Sequence, residues 1–492
     1  MRTTVYWVLP GIAAVAGAAY WAAVRLTKPN HKSGEAPAKS LAAALDHLRS
    51  YYRAEMTNTE LVQALLDALG PEALDEGLRE LLVESLEIVQ MMARTLNLDK
   101  LHMPVITAML SRQHAFTQRN RLNPTADQET ATGPGVDDLF IAKARHFLQM
   151  ADLVYCENTE KAGLASRDIF LDRMSEAKAA CGSNLPRHAV FVDHLTRSVV
   201  LAIRGTASFK DCVVDAVAVP TEALDGRGIS HKGIASAASD MLEAVMPYVT
   251  EALHHVPGYT PIVTGHSLGA GTALMLALTL RHQADFWKEK LPSGTLEALE
   301  VFAFAPPPVW APLSSLSEAD TKGLYVFINN LDMIPRSTLR NLEVFFNQLA
   351  LVDQAVAEDY STYDLITVLM GMDSGDLAQE ISRRVASAVE QADKERESEK
   401  KEWQHEQLFH PGRIFHLHPS TEGASGAEEF QHGLVPTTAE GYHLQELSAS
   451  DLAAAPFIEG EGWVQHHLTL SYLRAMQRLV TRPEGAECDE AA

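Results

Sequence analysis

The pentapeptide Gly265-His266-Ser267-Leu268-Gly269 follows an apolar, β-branched run at 260–264 and precedes small and apolar residues of helix-forming composition at 270–280. The order is strand, sharp turn, helix, with a serine at the apex. A hydroxyl that must attack a carbonyl has to stand clear of the sheet. Glycines two before and two after it remove the Cβ atoms that would clash in so tight a turn. Serine is a poor nucleophile at neutral pH, so it needs a base, and the base needs an orienting carboxylate. On a sheet of this kind those partners follow in the order Ser, then Asp or Glu, then His. Asp332 fits the acid, because it lies in a loop just past the C-terminal end of the strand at 324–328, on the rim where Ser267 should emerge. His467 fits the base, in a loop before the last helix, with His466 beside it as its competitor.

Ester hydrolysis also needs two aimed N–H donors for the developing oxyanion. The amide of Leu268, immediately after the nucleophile, is one by geometry, and Thr206, in the loop after the strand at 198–203, is placed to supply the second. Beyond Thr206, the residues Phe209, Cys212, Val213, Ala216 and Val217 fall on one face of a short helix, opposite Lys210, Asp211 and Asp215. That face beside the site reads either as core packing or as a lid that opens at a lipid surface. His416 and His418 share a strand face, but no third ligand accompanies them, so they read as structural histidines rather than a metal pair. The reading includes neither a metal nor another cofactor.

The elements that must hold these residues alternate. A helix at 139–155 precedes two β-rich runs at 189–192 and 198–203, joined by a turn into a hairpin. Strands at 299–304, 324–328 and 412–417 and a weaker one at 442–447 follow, so the fold class is α/β with a mainly parallel sheet. Between the second and third of these strands, the alternation is broken by a helical insertion at 339–406, which ends in a run of mixed charge.

Upstream, residues 5–24 contain no charge, and their 20-residue length suits a bilayer-crossing helix, with Tyr6, Trp7, Tyr20 and Trp21 near its ends. An anchor at 1–29 is preferred to a cleaved signal peptide, because the apolar run is long and aromatic residues are poor cleavage neighbours. Arg25, Lys28 and Lys32 outnumber the single Arg2 on the other flank, which puts the body on the cytosolic side. Residues 30–135 read as a helical spacer or cap, 136–481 as the hydrolase domain, and 482–492 as a disordered tail. The balance of 41 Lys+Arg against 64 Asp+Glu, net −23, repels nucleic acid and disfavours docking on anionic lipid, so membrane residence must rest on apolar burial. Four scattered cysteines without CxxC spacing fit a reducing compartment.

In sum these motifs resemble the class 3 lipases, and within them the sn-1-specific diacylglycerol lipases. The carriers are the run from Val199 to Thr206, His231-Lys232-Gly233-Ile234, the serine pentapeptide, Asp332-Met333-Ile334-Pro335-Arg336, the run from Pro411 to Leu417, and the histidine five residues before Tyr472. The resemblance implies an α/β-hydrolase fold without metal, a Ser267, Asp332, His467 triad, Thr206 as oxyanion donor and a lid over 209–217 bearing Phe209, Val213 and Val217. It implies glycerolipid, diacylglycerol foremost, as substrate at a membrane, with phospholipase A1, monoacylglycerol or triacylglycerol lipase activity, or an inactive lipid-binding relative, as alternatives. Two features depart from the family: His466 stands where an Asp usually precedes the catalytic histidine, and the 135 residues from Asp332 to His467 are more than in compact secreted members; the diacylglycerol lipases, moreover, usually have four membrane helices where one apolar span is found here.

Overall fold

The computed structural model of the chain describes residues 110, 136–156, 169–173, 185–205, 220–356, 359–369, 375–399, 407–419, 441–454 and 466–479. The apolar span at 5–24, nearly all of the spacer at 30–135, the tail at 482–492, Thr206 and the whole 209–217 segment with Phe209, Val213 and Val217 lie outside them. Among the described residues no helix is long and apolar enough to cross a membrane.

Eight strands form one sheet: β1 (Ile169–Arg173), β2 (His188–Asp193), β3 (Ser198–Ile203), β6 (Thr260–His266), β7 (Glu300–Phe304), β9 (Leu324–Asn329), β10 (Arg413–Pro419) and β11 (Tyr442–Leu447), in that spatial order. The five central strands from β3 to β10 run parallel. Antiparallel partners flank them, the 189–203 hairpin with β1 on one side and β11 on the other. A three-stranded sheet of β4 (Pro220–Ala223), β5 (Gly228–His231) and β8 (Trp310–Ala311) stands apart.

A parallel strand covered on both faces must be apolar throughout, and β3 is buried at all its positions. Its residues alternate between two cores. Val199, Leu201 and Ile203 join Val263, Val326 and Ile414 under α2 (Lys232–Ala244), α3 (Met246–His255) and α4 (Leu268–His282). Val200 and Ala202 join Ile262, Phe304 and Leu417 under α1 (Asp138–Leu153) and the C-terminal helix α8 (Thr469–Gln477). On that second face Phe302, Phe327 and Phe415 stack across β7, β9 and β10, with centroids 6.4 Å and 5.3 Å apart. Among the described residues the insertion comprises three helices, α5 (Leu339–Val356), α6 (Thr362–Leu369) and α7 (Asp376–Glu399), hung between the neighbouring strands β9 and β10.

Strands β6, β7 and β9 each hand over to a residue in the left-handed region: Ser267 (φ 59°), Ala305 (φ 55°) and Asn330 (φ 44°). Three adjacent strands thus turn abruptly at one rim, where open α/β sheets bind their ligands.

Candidate active site

Ser267 sits between β6 and α4 at φ 59°, ψ −127°. A non-glycine residue is held there only when its surroundings fix it, at about 1–3 kcal/mol of strain. The fixing bonds are visible: its N–H donates to Phe304 O (2.8 Å), and its carbonyl accepts from the amides of Ala270 (3.0 Å) and Gly271 (3.1 Å). The two glycines of the pentapeptide make the turn possible by close approach. A Cβ on Gly265 would lie 2.6 Å from the Gly269 carbonyl, and one on Gly269 would run into the Ile203 carbonyl at the end of β3. Leu268 then opens α4, so its amide is among the first-turn N–H groups that lack an intrahelical acceptor.

The side chain of Ser267 is buried, with Oγ 3.0 Å from His467 Nε2. On the far side of that ring, Nδ1 is 3.0 and 3.1 Å from the two oxygens of Asp332. An ionised carboxylate can only accept, so Nδ1 carries the proton and Nε2 turns its lone pair to the serine. The acid is fully buried and accepts from two donors besides His467: the Tyr472 hydroxyl at 2.7 Å and the Ile334 amide at 3.0 Å. Burial alone pushes the Asp332 carboxyl upward. The facing His467 and these hydrogen bonds outweigh it and hold the pKa below the ordinary carboxylate value. Tyr472 moves the other way, raised well above the usual phenol by burial and then by the Asp332 charge. Its oxygen also accepts the Asn329 N–H at 2.9 Å, which ties α8 to the end of β9.

His466 has a different place. Its Nδ1 accepts the Leu331 N–H at 3.3 Å, and its carbonyl accepts from the Asn329 side-chain amide at 3.0 Å. It braces the acid loop while its neighbour meets Ser267 and Asp332. His416 Nε2 donates to the Asn330 carbonyl at 2.9 Å, and among the described residues no group of side chains is arranged to hold a metal ion. Thr206 and the 209–217 segment lie outside the described residues, so of the expected oxyanion and lid groups only Leu268 is described.

Sequence reasoning missed Tyr472, His266 and Tyr155. The first served only as a spacing marker and the second only as the variable residue of the pentapeptide. His266 Nε2 lies 2.6 Å from the carbonyl of His467, and Tyr155 Oη lies 3.1 Å from His266 Nδ1. A polar aromatic residue at the buried end of an apolar strand was the available signal, since such a group needs a partner.

A strained serine between a parallel strand and a helix, facing a histidine and a buried aspartate at the same rim of the sheet, defines the α/β-hydrolase type of site. Residues 200–342 match the family described as lipase (class 3). The chain is 32% identical over 161 residues to the mouse (Mus musculus) diacylglycerol lipase-beta, covering 31% of this chain and 22% of that protein. It is 34% identical over 172 residues to the human (Homo sapiens) diacylglycerol lipase-alpha, covering 32% and 15%. The chain thus spans about a fifth or less of the length of these relatives. Among solved structures, the triacylglyceride lipase of Rhizomucor miehei is 19% identical and covers 41% of this chain and 75% of its own, with a TM-score of 0.34. Residues 200–342 are thus similar to the class 3 lipases, and about a third of the chain is similar to the diacylglycerol lipases.

Proposed function

We propose that the chain is a serine hydrolase that cleaves carboxylic esters of glycerolipids, with diacylglycerol as the substrate. The observation that carries the reading is the continuous contact from Ser267 Oγ to His467 Nε2 and from His467 Nδ1 to Asp332. In this mechanism Ser267 Oγ attacks the ester carbonyl as its proton passes to His467 Nε2. The imidazolium that forms is stabilised across Nδ1 by Asp332, which stays ionised. The Leu268 amide receives the oxyanion, with Thr206 as second donor. Collapse breaks the acyl–oxygen bond, and His467 gives its proton to the departing glycerol oxygen. Water, deprotonated by the same nitrogen, then releases the fatty acid and restores Ser267.

The lipid character of the substrate is supported by the relatives' names and by Leu468 and Leu470, which flank the base and are 52% and 53% exposed. Exposed large apolar side chains beside the base favour an apolar ligand or surface. In the same reading, residues 5–24 anchor the chain in the bilayer with the body on the cytosolic side, 30–135 are a spacer, and 209–217 with Phe209, Val213 and Val217 are the lid.

Ser267→Ala should abolish hydrolysis of diacylglycerol in mixed micelles and labelling by a fluorophosphonate probe. Labelling retained in that variant would refute the nucleophile. His467→Ala should be inactive while His466→Ala keeps measurable turnover, and the reverse would shift the base by one residue.

A further inference from the structure

The base is held from two sides. Asp332 grips its ring, as described, and a second chain of contacts grips its backbone. His266 Nε2 lies 2.6 Å from the His467 carbonyl oxygen, and the two rings stand with centroids 4.7 Å apart. A carbonyl can only accept, so His266 donates from Nε2. Burial, followed by the neighbouring His467, pushes the His266 pKa down to about 3, so this ring is neutral at any working pH and its Nδ1 is a bare acceptor. Tyr155 fills that acceptor, with its hydroxyl 3.1 Å away. The phenol ring is itself covered by the guanidinium of Arg204, 5.2 Å from its centroid, where a cation is attracted by the ring face.

Tyr155 lies in the turn that ends α1. The same end of α1 reaches the base loop a second time, because Asp152 accepts a hydrogen bond from the Thr469 hydroxyl, two residues past His467. Both contacts are long-range, spanning 111 residues from Tyr155 to His266 and 317 from Asp152 to Thr469. Neither supplies a reacting group. What they fix is where the main chain of 467–469 stands relative to the nucleophile turn.

We infer that Tyr155 and His266 are positioning residues, which together with the Asp152–Thr469 contact make the C-terminal end of α1 a clamp that sets the distance from His467 to Ser267. The inference rests on the proposed role of His467 as base. The residue before the nucleophile thereby has a task of its own, since one turn carries Ser267 outward and His266 inward to the carbonyl of the base that Ser267 must reach.

The test uses the full chain in detergent micelles with a soluble short-chain ester. Rates are measured well below each variant's own unfolding midpoint. A displacement of the base by about 1 Å is expected to cost up to about a hundredfold in rate. Tyr155→Phe should lower kcat by about tenfold and His266→Leu by up to about a hundredfold, each with unchanged KM. His266→Gln, whose side-chain amide can still donate to the carbonyl, should recover most of the loss. Tyr155→Phe removes one oxygen and keeps the ring under Arg204, so it remains informative if the leucine variant does not fold. Wild-type kcat in Tyr155→Phe, a change in KM in place of kcat, or a glutamine variant as impaired as the leucine variant would each overturn the inference. Ser267→Ala run alongside separates the two readings. If it stays active, the hydrolase mechanism fails; if it is dead while Tyr155→Phe turns over normally, only the clamp fails.

Discussion

Tyr472→Phe removes a single oxygen that serves two buried partners. That oxygen donates to Asp332 Oδ2 at 2.7 Å and accepts the Asn329 N–H at 2.9 Å. A hydrogen bond to a charged group contributes about 1.5–3 kcal/mol, and a buried amide left without an acceptor costs about 1–3 kcal/mol. Since the two losses share one atom and partly relax together, the variant should be less stable by about 3 kcal/mol, a large share of the roughly 5–15 kcal/mol typical of a folded domain. The pH dependence has a definite sign. The folded-state pKa of Asp332 is depressed, so its contribution to stability is present above the unfolded carboxylate pKa of about 4 and is lost as pH falls below it. Removing the Tyr472 donor takes away part of that depression. The deficit of the variant should therefore be full at neutral pH and shrink below about pH 4, leaving only the orphaned Asn329 amide. Urea unfolding of both proteins from pH 7 down to pH 3 measures it. The hydroxyl also fixes the carboxylate that orients His467, so kcat should fall by about tenfold, equivalent to about 1.4 kcal/mol. An unfolding midpoint equal to wild type at pH 7, or a deficit that grows on acidification, would refute the argument.

Asp332→Asn should leave the fold intact but let the amide nitrogen face His467 Nδ1, which favours the wrong tautomer, and kcat should drop by about 10⁴ in a steady-state ester assay. Gly265→Ala places a methyl 2.6 Å from the Gly269 carbonyl, both in backbone that cannot shift, so soluble yield and fluorophosphonate labelling should fall together. Asp320 is held at about pKa 2: burial pushes it up, and the Arg227 hydrogen bond, two bonds to Ser317 and the Arg227 charge outweigh that effect. Its stabilisation is present above about pH 4 and disappears as pH falls toward 2. Arg227→Ala should thus lower the thermal midpoint at pH 7 by more than at pH 3, as read by calorimetry.

The central sheet was legible because burial on both faces demands it. The hairpin strands at 189–203 and the parallel strands β6, β7 and β9 are apolar runs, and their bounds fall within a residue or two of expectation. Edge elements were not legible. β1 (Ile169–Arg173) mixes charge into a five-residue strand whose register shifts, and β4, β5 and β8 are two to four residues long, too short for any periodicity to speak. The helices α2 and α3, with buried faces of Ile234, Ala237, Ala238 and Met241 and of Met246, Val249, Ala252 and Leu253, were passed over. At the site, Ser267 and Asp332 each follow a strand end and His467 precedes the last helix, in the expected order, and the structure brings the three side chains into contact. Tyr472, His266 and Tyr155 could not be read, because their partners lie 111 to 201 residues away and no local spacing encodes such a pairing.

The separation between nucleophile and base has a consequence for the life of the chain. Ser267 and His467 are 200 residues apart in sequence, and the strands between them must add to the sheet before the two can meet. A ribosome making on the order of 5–20 residues per second therefore exposes the nucleophile turn for about 10–40 seconds before the base has even been joined to the chain. Throughout that interval Ser267 lacks the group that would activate it. For the proposed hydrolase, an unfinished or half-assembled chain would be inactive, and esterase activity would report that synthesis and sheet closure are both complete.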